Sequence, residues 1–366
     1  MDLDKYLQNK LDNLKEKNEY RSLVIAEGFL DFSSNDYLAL AKEALPEFKV
    51  SPGSTGSRLI TGNSKLFEDL EGKIANWKST EAALFFGSGY LANLGTISAL
   101  VGPRDVVFSD ELNHSCILDG IRLSGAKKFF YRHLDTKHLE ELLEKHRADY
   151  DNAFVITDSI FSMQGTCCDL PGIIALKDKY DFALYLDEAH ATGTKASNGA
   201  GLYADLIEAG NLKPGQVEIQ MGTFSKACGV EGGYVAGSKT LIDFLINKAR
   251  TFIYSTAPSP LTVSAVSHNL DKLINANDKR AQLKNNINYF AKKLKELDLD
   301  FTNDETAIFA INLNSNEEAL KLSKEFEDEK IFVKAIRPPT TPKPCVRICL
   351  HSDHSQKDLD RVTTML

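Results

Sequence analysis

The 366 residues carry 43% hydrophobic and 26% charged side chains, the balance of a folded globular protein rather than of a disordered chain. A net charge of −8 excludes a nucleic-acid backbone binder, which needs clustered Lys and Arg. Six cysteines, Cys167 and Cys168 adjacent, fit reduced thiols in a cytoplasmic protein and not a disulfide framework.

Residues 1–20 are too charged for a signal peptide and predict a polar, mildly amphipathic helix. Ala82–Pro103 carries no charged residue and is about as long as a bilayer span. Gly87, Ser88, Gly89, Asn93, Gly95, Thr96 and Ser98 make it too polar for one, so it reads as a buried loop followed by a helix, and no membrane partner is expected. Short apolar runs at Asp105–Phe108, Lys128–Arg132, Ala153–Thr157, Phe182–Leu186, Glu218–Gly222 and Gly233–Ala236 alternate with helical patterns such as Thr136–Arg147 and Ser238–Arg250. That alternation predicts an α/β fold with a mostly parallel central sheet.

After Pro258 and Pro260 a long helical region reaches about Leu297. A strand (Ala307–Leu313), a helix (Glu317–Glu327), two strands (Ile331–Ile336, Val346–Leu350) and a helix (Gln356–Leu366) then predict a smaller α+β layer with an antiparallel sheet. The expected organisation is a helical arm over 1–35, a large domain over 36–265 and a small C-terminal domain over 266–366.

In a parallel sheet ligands bind at the carboxyl edge, where four motifs fall. Asp187-Glu188-Ala189-His190 directly follows an apolar run. A carboxylate delivered by a buried strand is costly without a positive partner, and a protonated pyridinium nitrogen would be one, turning the ring into an electron sink for a Cα carbanion. Thr223-Phe224-Ser225-Lys226 also follows a strand and leads into Gly229, Gly232 and Gly233. Burial and nearby positive charge make such a lysine a Schiff-base former, glycines leave room for a flat cofactor, and the hydroxyls suit a phosphate. Gly87-Ser88-Gly89-Tyr90 opens an apolar helix whose free N–H groups form an anion site; it is neither GxGxxG nor a P-loop, so dinucleotide and nucleoside-triphosphate binding are unsupported. His114 lies just past a strand, where it could stack on an aromatic cofactor or donate to a substrate. Cys345, Cys349, His351 and His354 superficially suit zinc, but Cys345, Cys349 and His351 alternate along a predicted strand on one face, so no metal is expected.

The spacing of these motifs, with Ser162 in Phe161-Ser162-Met163, Ser33-Ser34-Asn35-Asp36-Tyr37-Leu38, Gly56-Ser57-Arg58-Leu59 and Thr61-Gly62, resembles the α-oxoamine synthases over nearly the whole chain. That resemblance implies a fold-type-I transferase using pyridoxal 5′-phosphate (PLP). It implies Lys226 as the Schiff-base lysine, Asp187 on the ring nitrogen, His190 on the ring oxygen and His114 stacked on the ring. Gly89, Tyr90, Ser162 and Thr223 would supply further cofactor contacts, and Ser255 and Thr256 would reach the phosphate across a homodimer interface. Arg347 would hold the amino-acid carboxylate, and Arg21, Asn35 and Thr340 match substrate-contacting positions. Ala335-Ile336-Arg337-Pro338-Pro339-Thr340 looks most like members that condense L-alanine with a pimeloyl thioester, on coenzyme A or acyl-carrier protein, for biotin synthesis. Glycine C-acetyltransferase and serine palmitoyltransferase-like activities are the alternatives. The chain departs from the family pattern at Phe67, Asp158, Gln164 and Glu231, around the expected site rather than at its centre.

Overall fold

Lys127–Tyr131, Val106–Asp110, Ala153–Asp158, Ala183–Asp187 and Ile219–Thr223 lie side by side as parallel strands, in the computed structural model of the chain, which describes residues 1–303, 305–338 and 340–366. Pro339, part of the C-terminal motif, lies outside the described residues. In chain order the strands are β1 (Leu30–Asp31), β2 (Ala82–Phe86), β3 (Val106–Asp110), β4 (Lys127–Tyr131), β5 (Ala153–Asp158), β6 (Ala183–Asp187) and β7 (Ile219–Thr223). They continue with β8 (Gly233–Gly237), β9 (Phe301–Thr302), β10 (Ile308–Asn312), β11 (Ile331–Phe332), β12 (Lys334–Ile336) and β13 (Cys345–Cys349).

The large sheet runs β2-β8-β7-β6-β5-β3-β4, with β8 antiparallel to both its neighbours. Strands β3, β7 and β8 are buried along their whole length, and the runs Val106–Phe108 and Tyr234–Ala236 are accordingly apolar on both faces instead of alternating. Each of β3, β5, β6 and β7 runs one or two residues past the expected end. Asp110, Asp158, Asp187 and Thr223 are therefore the last residues of four adjacent strands, all at one sheet edge.

The uncharged Ala82–Pro103 segment is not loop then helix. Its first five residues form β2 and only Gly89–Leu100 is helical. Apolar residues on both sides of the Gly87 turn hide that boundary from a periodicity reading. Among the described residues no helix is long and apolar enough to cross a membrane.

The helical region after Pro260 is two helices, Pro260–Ile274 and Asn277–Glu296. The Arg280 guanidinium donates to the carbonyls of Leu273 at 2.6 Å and Ile274 at 3.0 Å, so a side chain from the second helix satisfies the end of the first. The stretch Ile331–Ile336 likewise divides: β11 pairs with β1, whereas β12 joins the antiparallel order β12-β13-β10-β9. The run Ile331–Val333 is apolar throughout, so the exchange of partners leaves no mark on the sequence.

Strand β1 brings the N-terminal segment against the C-terminal layer. The His354 and His351 side chains bond to the Asp31 carbonyl at 2.9 Å and the Ser34 carbonyl at 3.0 Å, and the two imidazoles stack at 4.6 Å. Cys345 and Cys349 sit on β13, buried. The segment so anchored carries Asn35 and Tyr37 toward the sheet edge.

Candidate active site

Asp187 ends β6 and is 2% exposed. The Ala189 N–H donates to its Oδ1 at 2.8 Å and the Asn93 side-chain amide to its Oδ2 at 2.6 Å. One donor per oxygen leaves the carboxylate with accepting capacity and no cationic partner in contact. Lys226 lies after β7 and is partly buried. Its pKa is lowered, first by desolvation and further by the charge of Arg347, against the opposing pull of Asp187 and Asp158. A lysine poised toward its free-base form beside a buried carboxylate is the arrangement expected of a carbonyl-capturing amine.

Two histidines flank the pair. His190 is buried, and desolvation together with the positive charge of Lys226 and Arg347 holds its pKa far below the usual range, so it is neutral. The Tyr37 hydroxyl meets its Nδ1. His114 caps the helix Ser115–Ser124, and its exposed ring is placed by two contacts. Its backbone N–H donates to Asp158 Oδ2 at 2.8 Å, and its Nδ1 accepts from the Cys116 N–H at 3.2 Å. Its pKa is also lowered, by burial first and by Lys226, with Asp187 opposing. Asp158, 3% exposed, has its pKa pushed well above the ordinary value by burial and then by the charge of Asp187.

An anion site borders this cluster. Ser88 caps the helix Gly89–Leu100 by accepting from Leu91 N–H at 3.2 Å, and the first-turn N–H groups of Gly89 and Tyr90 have no carbonyl of their own helix to bind. A Cβ on Gly89 would stand 3.2 Å from Thr223 Cβ and 3.1 Å from Met221 Cε, so a side chain there would crowd the end of β7 that glycine leaves open. Thr223 and Ser225 hydroxyls lie 3.2 Å apart beside it. The Tyr90 ring turns outward, its hydroxyl bonded to Asp119.

Toward the C-terminal layer, Arg347 on β13 is 7% exposed and anchored by Nε to the Ser162 carbonyl at 2.6 Å and by Nη2 to Asn35 Oδ1 at 2.9 Å. So held, the guanidinium keeps further N–H donors for a carboxylate. The structure thus brings together Lys226, Asp187, His190, His114, Gly89, Thr223, Ser162, Asn35 and Arg347 around one sheet edge. Arg21 and Thr340 meet each other, Nη2 to Oγ1 at 3.4 Å, on the exposed face of the N-terminal arm. Ser255 and Thr256 stand apart: they line a cavity of about 220 Å³ together with Arg58, Phe86 and Glu231, and Lys226 is not part of its wall.

Four residues of this environment have no role assigned by sequence reasoning: Tyr37, Asn93, Cys116 and Tyr185. Asn93 carries the one legible signal, an amide inside an otherwise apolar helical run.

The donor set fits PLP: an amine poised toward neutrality, a buried carboxylate short of one partner, a neutral histidine on either side, and a glycine-lined helix start with two hydroxyls for a phosphate.

A family profile, aminotransferase class I and II, matches residues 27–366. A protein of Rippkaea orientalis named provisionally as an 8-amino-7-oxononanoate synthase is 41% identical, the match covering 99% of this chain and 98% of the relative. One of Aquifex aeolicus with the same provisional name is 39% identical over 97% and 96%. Among solved structures, Sphingomonas wittichii serine palmitoyltransferase matches with TM-score 0.87 and 26% identity, covering 99% of this chain and 95% of that one. Francisella tularensis 8-amino-7-oxononanoate synthase matches with TM-score 0.78 and 28% identity over 93% and 97%.

Proposed function

Because the chain belongs to the class I and II aminotransferase family and, within it, to the α-oxoamine synthases, we propose that it is a PLP-dependent acyltransferase. The reaction we assign is condensation of L-alanine with a pimeloyl thioester to give 8-amino-7-oxononanoate, carbon dioxide and free thiol in biotin synthesis. One observation supports the cofactor half of the reading: the Lys226 amine stands within electrostatic reach of both the Asp187 carboxylate and Arg347 at the carboxyl edge of the sheet.

When bound, PLP supplies an electron-withdrawing ring that stabilises negative charge at the amino-acid Cα. Asp187 would hold the ring nitrogen protonated, His190 would donate to the ring oxygen, and Gly89, Tyr90 and Thr223 would take the phosphate. Lys226 would hold the cofactor through Nζ and serve as the base that removes and returns the Cα proton. Arg347, steadied by Asn35 and Ser162, would orient the substrate carboxylate. His114 Nε2–H would donate to the thioester carbonyl oxygen as charge develops there. The carbon–carbon bond forms as the thiol departs, and the carboxylate leaves as carbon dioxide.

A homodimer in which Ser255 and Thr256 reach a partner's phosphate belongs to the same reading. Arg21 and Thr340 would close the acyl side of the site. A cytoplasmic location, and coenzyme A or acyl-carrier protein as the carrier, belong to the same reading.

A second reading, with L-serine or glycine as the amino acid, is favoured by the higher TM-score to serine palmitoyltransferase than to 8-amino-7-oxononanoate synthase, 0.87 against 0.78. Thiol release from pimeloyl-coenzyme A by the PLP-loaded protein, with L-alanine, glycine and L-serine supplied separately, decides between them. Release that requires L-alanine supports the first, release with another amino acid supports the second, and no release with any of the three removes the pimeloyl assignment.

A further inference from the structure

Asn93 is 1% exposed on the helix Gly89–Leu100, and its amide turns both its N–H donors and its oxygen to neighbours around the site. Its Nδ2 donates to Asp187 Oδ2 at 2.6 Å and to Cys116 Sγ at 3.1 Å, while its Oδ1 accepts from the Tyr185 hydroxyl at 2.7 Å. Cys116 Sγ in turn lies 2.8 Å from His114 Nδ1, the same nitrogen that accepts the Cys116 amide N–H. An amide N–H can only donate, so Nδ1 carries the lone pair and the ring proton is on Nε2. Because the sulfur already accepts from Asn93, its own hydrogen is free to point at Nδ1. Burial and the nearby Asp187 charge raise the Cys116 pKa, which keeps that hydrogen in place.

We propose that Asn93 and Cys116 are positioning residues that hold His114 as the neutral Nε2–H tautomer and couple its orientation to the Asp187 carboxylate. One hydrogen-bonded brace thereby sets the acceptor for the cofactor's ring nitrogen and the donor for the substrate carbonyl together. Protonating Nδ1 of His114 would set an N–H against two donors, so the brace adds to the burial and the Lys226 charge that already oppose protonation, while Asp187 alone favours it. Asp158, facing the ring from β5, is engaged by the His114 backbone N–H. The roles of the two ends rest on the PLP reading; the tautomer does not.

The test is 15N NMR of histidine-labelled protein, with and without PLP, His114 being assigned by a His114→Gln variant. The wild type should show His114 protonated at Nε2 alone and resisting further protonation below the ordinary histidine range. Cys116→Ala should move that protonation upward by roughly half to one pH unit, carry the corresponding limb of the kcat profile with it, and Cys116→Ser should restore both. Asn93→Asp, which replaces a donor by an acceptor beside Asp187, should weaken PLP binding by roughly tenfold or more, read by absorbance titration. A folded Cys116→Ala protein with His114 shifts and a pH profile identical to the wild type would overturn the proposal. Failure of the wild type to take up PLP would instead defeat the cofactor reading, since the tautomer is read in the PLP-free protein as well.

Discussion

The Tyr37 hydroxyl and Nδ1 of His190 are 2.6 Å apart, buried between the N-terminal segment and the loop after β6. The phenol is also 3.2 Å from Asn35 Oδ1, a longer contact to an oxygen that accepts from Arg347 as well. The shorter contact therefore takes the hydroxyl hydrogen, Nδ1 of His190 is the acceptor, and Nε2–H is left to face the pocket. Tyr37→Phe removes the donor and leaves the imidazole free to exchange tautomers. PLP affinity should fall by roughly three- to tenfold, read by absorbance titration; an unchanged dissociation constant would show that Tyr37 does not set the ring.

Lys226→Ala should lower kcat by roughly 10²–10⁴-fold, the range of a lost general base, while PLP still binds without a covalent link. Borohydride reduction of the wild type followed by peptide mapping should place the cofactor on Lys226, and the variant should give no reduced adduct. A variant with near-normal turnover sinks the assignment.

Arg347→Ala should raise the amino-acid KM by roughly ten- to a hundredfold, as expected for a lost charge-assisted pair, with little change in the thioester KM. Arg347→Lys should recover only part of the loss, because an ammonium cannot reproduce the bonds to both Ser162 and Asn35. Equal effects on both substrates would place Arg347 outside the amino-acid pocket.

Lys78 and Glu188 form an ion pair whose side chains are 1% and 0% exposed, and Glu188 Oε1 also accepts the Tyr203 N–H at 2.9 Å. Glu188 adjoins Asp187, so this pair fixes the backbone that carries the proposed ring-nitrogen partner. Lys78→Met leaves a buried carboxylate uncompensated and should cost about 3–5 kcal/mol, visible as a lowered urea midpoint. A midpoint within experimental scatter of the wild type would show that water or a rearranged partner satisfies Glu188.

His354 is 4% exposed, and burial with the neighbouring His351 lowers its pKa to about 4. Between that value and the unfolded value of about 6.5 the unfolded chain binds the proton and the folded one does not. His354 should therefore contribute up to about 3 kcal/mol of stability that is lost as pH falls from about 6.5 to about 4, its own share of the loss being complete below that window. Chemical denaturation across pH 4–7 checks this, with His354→Gln expected to flatten the dependence.

The placement of Asp187 at a strand end and of Thr223 and Lys226 at and just after one is legible because buried parallel strands are short, mostly apolar runs. Ends differ by a residue or two, and that small difference is what makes Asp158 and Asp187 part of the sheet edge rather than of a loop. What Tyr37 and Asn93 do is not legible, since each acquires its role only from a partner far along the chain, Asn93 from Asp187 and Tyr37 from His190, separated by 94 and 153 positions, even though an amide in a mostly apolar helix marks Asn93 out. No periodicity encodes such pairings. The division of Ile331–Ile336 between two sheets escaped for a related reason, since alternation records which face a side chain takes and not which strand lies beside it.

The bond between Asn35 and Arg347 spans 312 positions and has a consequence for the newborn protein. Every cofactor-facing residue from Gly89 to Lys226 leaves the ribosome before Arg347, on the order of ten seconds earlier at bacterial elongation rates. The cofactor end of the pocket can therefore be assembled on a chain still being made, whereas the amino-acid end waits for the last strand. The carboxylate-binding end is thus the last part of the proposed pocket to be made.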